Sequence, residues 1–110
     1  LRHLQRIYLW HAQVSDADLA SLRDSRDLEL LYCHGAAGVT DAGIAALQKF
    51  HKLRELTLNG AQVTGVGVKP LRNLTGLSLT STIFTDEGIA AVAGLTQLEN
   101  LFLKIDIAGN

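Results

Sequence analysis

At 110 residues, 47% of them hydrophobic and 19% charged, the chain is one domain's worth and can bury a core, which excludes a disordered segment. The formal net charge is −1 with both signs interspersed, against the clustered basic face that nucleic-acid binding needs, and the longest uncharged apolar stretch, around Gly88 to Leu95, is too short to span a bilayer. One cysteine excludes an internal disulfide framework and leaves the compartment open.

Leu4-x-x-Ile7-x-Leu9 is the first strand phrase. In Val14-Ser15-Asp16 the valine plugs the core at a turn, the serine is a natural N-cap, and the aspartate favours the positive start of a helix. Ser15-x-x-Asp18 resembles a capping box with a short acid, and Leu19 and Leu22, spaced i, i+3, form one face of a short helix. The same succession returns as Leu28-x-x-Leu31-x-Cys33, Val39-Thr40-Asp41 and Ile44/Leu47. It returns again as Leu53-x-x-Leu56-x-Leu58, Val63-Thr64-Gly65 and Val68/Leu71, and then as Leu74-x-x-Leu77-x-Leu79, Phe84-Thr85-Asp86 and Ile89/Val92. Leu98-x-x-Leu101-x-Leu103 closes the series. The markers Leu9, Cys33, Leu58, Leu79 and Leu103 lie 24, 25, 21 and 24 residues apart. Gly43, Gly67 and Gly88 precede the helical face, and Asp18 holds the same place in the first unit, so close backbone packing rather than a positive φ is expected there. The short third unit contains Gly65-Val66-Gly67-Val68-Lys69-Pro70, poor helix material, which predicts an extended segment or one tight turn.

Alternate strand residues point to opposite faces. With the leucines inward and the strands stacked in parallel, three outward columns result: Arg6, Leu30, Glu55, Gly76, Asn100; Tyr8, Tyr32, Thr57, Ser78, Phe102; and Trp10, His34, Asn59, Thr80, Lys104. The chain's only tryptophan and both of its tyrosines fall on the first two strands, with His11 at the margin. A solvated sheet face has no folding reason to collect them, whereas aromatic anchors dominate interface energetics. The bland alternative is that strand propensity favours aromatics, which cover an otherwise bare sheet.

These phrases resemble the leucine-rich repeat superfamily, to which a period in the twenties also belongs. Val39 to Leu47 (VTDAGIAAL) and Phe84 to Val92 (FTDEGIAAV) are similar to bacterial arrays common in planctomycetes, to kinetoplastid arrays, and to the cysteine-containing class used by F-box adaptors. The resemblance covers essentially the whole of residues 1–110 and implies a single α/β domain of about four to five repeats. Its shape would be a curved solenoid, with a parallel sheet on the concave face and short helices or turns on the convex face. Where many relatives carry Asn or Cys, this chain has Ala12, Ala36, Ala61, Thr82 and Asp106, so an asparagine ladder is not expected. The chain opens at Leu1 without methionine and ends inside the pattern at Asn110, so a fragment of a longer array is expected and absent targeting signals carry no weight.

The resemblance implies a non-enzymatic module binding a protein or peptide. The candidate contact residues are Tyr8, Trp10, Tyr32, His34, Thr57, Asn59, Phe102 and Lys104. The alternatives are a structural spacer or assembly subunit, self-associating through uncapped repeat ends, or the substrate-recognition arm of a larger protein. No catalytic pair, cofactor or metal set is expected: Cys33 and His34 face opposite sides, and His11 with His34 lacks a third ligand. Cys33 is read as a small buried apolar residue, and His3 and His51 as solvated. Gly65-x-Gly67 lacks the context of a nucleotide loop, and Asp16, Asp41 and Asp86 are read as helix-start residues. Asn73-Leu74-Thr75 is a formal glycosylation sequon.

Overall fold

The computed structural model describes residues 3–10, 13–22, 25–81 and 83–105. Each leucine phrase forms a strand: β1 Arg6–Leu9, β2 Leu30–Cys33, β3 Glu55–Ala61, β4 Gly76–Ser81 and β5 Asn100–Ile105. All neighbours pair in parallel, in the order β1-β2-β3-β4-β5. The register aligns Ile7 with Leu31, Leu56, Leu77 and Leu101, and Leu9 with Cys33, Leu58, Leu79 and Leu103. The backbone repeats just before each strand too. The carbonyls of Gln5, Glu29, Arg54 and Thr75 each accept two N–H groups from the following unit, so the four steps are built alike.

Between strands the chain crosses back through short helical segments: α1 Asp16–Ala20, α2 Asp41–Ala45 with a 3-10 turn at Ala46–Lys49, a single 3-10 turn at Val66–Val68, and α3 Asp86–Ala93. Parallel neighbours require such crossovers. Leu19, Ile44, Leu47, Val68 and Val92 from these segments join Leu31, Cys33, Leu56, Leu58, Leu77 and Leu79 from the strands in one buried cluster. One face of the sheet is therefore core and the other is open. The third unit takes the tight-turn form, beginning at Gly65 with φ +106°, a conformation glycine adopts without steric cost. Gly43, Gly67 and Gly88 pack closely as expected: a Cβ on Gly88 would lie 1.6 Å from the carbonyl oxygen of Thr64.

Four readings are corrected. Thr40 makes no side-chain cap to its own helix; its hydroxyl and N–H donate to the carboxylate of Asp16, one unit earlier. Asp41 does the same for the next unit, accepting from Thr64 N–H (2.9 Å), Thr64 Oγ1 (2.8 Å), Gly65 N–H (3.1 Å) and Gly67 N–H (3.1 Å). These two aspartates thus tie each unit to the next, not only to their own helix starts. In the first unit Asp18 supplies the equivalent acceptor, taking both the N–H and the hydroxyl of Ser15. Second, register pairs Ala61 with Ser81, because an irregularity between Leu58 and Ala61, at Gly60 (φ +80°), shifts the pairing. The polar residue buried at that register position is therefore Ser81, whose hydroxyl donates to Val63 O (2.7 Å) and accepts from Val63 N–H (3.3 Å). Third, Leu101 lies in the inward column but is 52% exposed, because β5 is the edge strand. Fourth, Ile89 is exposed for the same edge reason, while Val92 and Leu95 are buried. Expectations placed on His11, Ala12, Thr82 and Asp106 lie outside the described residues.

Candidate functional site

Two of the three outward columns read from the sequence are complete rows across the open face; in the third, only Thr80 and Lys104 pair in register. Tyr8, Tyr32, Thr57, Ser78 and Phe102 are in register, as are Arg6, Leu30, Glu55, Gly76 and Asn100. Tyr8, Trp10 and Phe102 are 51%, 56% and 56% exposed. Parallel pairing brings four rings into one patch: Trp10 lies 4.9 Å from Tyr32 and 5.3 Å from His34, and Tyr8 lies 6.0 Å from Tyr32, centroid to centroid. All three pairs are tilted by 34–39°, within the range aromatic pairs favour. The patch is apolar with polar tips: Tyr8 and Tyr32 stand on β1 and β2, and Trp10 and His34, expected on those strands, follow each strand end by one residue.

Thr57, Asn59, Ser78 and Thr80 form a half-buried polar stretch beyond it. Phe102 stands in the row of Tyr8 but four strands along, roughly 19 Å away at the usual strand spacing, and Lys104 is exposed on the same edge strand. A hollow of about 380 Å³ lies between these two aromatic ends. Tyr8, Tyr32, Glu55, Gly76, Asn100 and Phe102 are among its walls. The candidate contact set omitted Glu55, Gly76 and Asn100; the only glycine in an outward column was the available signal.

Cys33 is fully buried, and burial pushes its thiol up to about 11, so at neutral pH it stands as the neutral thiol packed among the leucines. At the strand-start edge, Asp27 accepts from Lys52 (2.9 Å) and contacts His3 (3.1 Å), and these partners, Lys52 first, hold its carboxyl below the usual range. Asn73 is exposed, and its Nδ2 donates to the His51 carbonyl. Among the described residues no three of His, Cys, Asp and Glu converge to hold a metal, and no helix is long and apolar enough to cross a membrane. No family model and no curated protein matches this chain.

Proposed function

We propose that the chain is a leucine-rich repeat array, a curved solenoid whose open face is concave, and that it acts as a non-enzymatic recognition module for a protein or peptide. Five like strands in parallel register support the architecture. The binding reading is carried by one observation: the only tryptophan and both tyrosines cluster around Tyr32 on a face the fold leaves open. Trp10, Tyr8 and Tyr32 are the anchors, and His34, Thr57, Asn59, Phe102 and Lys104 extend the contact. Tyr8 and Tyr32 are held on strands and Trp10 packs on Tyr32, so association immobilises few side chains and more of the contact energy appears as affinity. Trp10→Ala is expected to weaken binding by more than about 1 kcal/mol while leaving the urea midpoint unchanged. Unaltered affinity in that variant removes the patch from contention.

The exposed Ile89, Leu101 and Ile105 on the last unit favour a second reading, a subunit that packs by its end against other domains or subunits. Concentration-dependent size in sedimentation, insensitive to Trp10→Ala, distinguishes that reading. As the substrate-recognition arm of a larger protein, the chain would use the same open face.

A further inference from the structure

The geometry points to a slot for an arginine side chain of the bound segment, built on the open face from Glu55, Gly76 and Asn100; this assignment rests on the peptide-binding reading above. Gly76 is the only glycine in the three outward columns, and its register neighbours are Glu55 on β3 and Asn100 on β5. Where neighbouring rows carry side chains on every strand, this row has a notch. Its walls stand two strand spacings apart, roughly 9–10 Å between backbones. A Cβ placed on Gly76 would sit 3.4 Å from Glu55 Cγ and 3.5 Å from Glu55 Oε1, so the carboxylate borders the vacant position. The notch belongs to the hollow of about 380 Å³ that Tyr8, Tyr32 and Phe102 also line.

Charge selects the occupant. Glu55 is the only carboxylate in the three outward columns, and within the described residues no hydrogen bond or ion pair engages its side chain. Arg6 shares its row but stands two strands away and does not pair with it. A cation from outside is what completes the row. A guanidinium suits it better than an ammonium, because its planar fork can engage the Glu55 carboxylate on one side and the Asn100 amide oxygen on the other. Its aliphatic stem then runs over Ser78 beside the ring of Phe102, the register neighbour of Ser78, where such stems and planes are favoured. An exposed pair of this kind contributes little while water reaches it, and a peptide laid over the face excludes that water.

The test is selection of random twelve-residue peptides on the parent chain, keeping those whose binding is lost in the Trp10→Ala/Tyr32→Ala double variant. The slot predicts an arginine at one position of the retained peptides. Replacing it with citrulline, uncharged and nearly isosteric, should lower affinity roughly tenfold against the parent. Against Glu55→Gln the same replacement should change affinity less than twofold, roughly. Gly76→Val, which fills the notch at a position with ordinary strand backbone, should reproduce the roughly tenfold loss. Unchanged urea midpoints in Glu55→Gln and Gly76→Val show that the fold is intact. Face-directed peptides without arginine, lysine serving equally well, or a citrulline effect that persists in Glu55→Gln overturns the slot and leaves the binding reading standing. Failure to select any face-directed peptide overturns both.

Discussion

Replacing Asp41 by alanine isolates the contact that joins the second unit to the third. Its carboxylate takes four hydrogen bonds from residues 64, 65 and 67. Gly65 and Gly67 are buried, so their N–H groups lose the partner without full access to water. Each such loss costs about 0.5–1.5 kcal/mol, and the half-buried Thr64 donors add less, giving about 2–3 kcal/mol in all. Among the described residues Asp16 accepts two such bonds, both from the exposed Thr40, so Asp16→Ala should cost about 1 kcal/mol. Urea unfolding at neutral pH measures both. Burial pushes the Asp41 carboxyl up, but the donors of Thr64, Gly67 and Gly65 outweigh it and hold the group below the ordinary carboxylate range. A depressed folded value means the unfolded chain takes up the proton first as pH falls. The stabilisation is therefore whole above about pH 4 and is lost as pH falls through the folded value. The gap between parent and Asp41→Ala should close over that acid range. Equal costs for the two aspartates, or a gap that stays constant into acid, would refute the reasoning.

Leu58→Ala, at a fully buried strand position, should lower unfolding free energy by about 2–5 kcal/mol in the same assay. Gly88→Ala should destabilise by about 1–3 kcal/mol although alanine is the better helix former, because the new methyl meets the Thr64 carbonyl; a gain in thermal midpoint would contradict that contact. Native Cys33 should resist a thiol reagent at neutral pH and react at once in urea, and rapid labelling of the folded chain would show the burial to be wrong.

The strands and their register were legible in the sequence because the aliphatic spacing repeats, and the pairing of Tyr8 with Tyr32 and Thr57 follows from counting along equal frames. Two of the three outward rows were legible for the same reason; after Gly65 the sequence left an extended segment or one tight turn open, and the chain takes the turn. Side-chain bonds that cross between units were not. Thr40 looks like a cap to its own helix until its partner, 24 residues earlier, is placed beside it. Thr82 was counted into the place that Ser81 occupies, because the irregularity at Gly60 adds a residue to β3 that spacing alone cannot locate. Leu101 reads like Leu77, yet its burial depends on what lies beyond the edge strand, which a repeating pattern does not encode.

The emission of Trp10, the chain's only tryptophan, tests the binding face most directly. It stands 56% exposed, so in the free chain it should emit as a solvated indole. On addition of a selected, tryptophan-free peptide the emission should shift to the blue in a saturable way, with a midpoint equal to the Kd measured independently. Saturated binding that leaves the spectrum unmoved would mean that the partner sits elsewhere and that the aromatic patch is not the surface it grips.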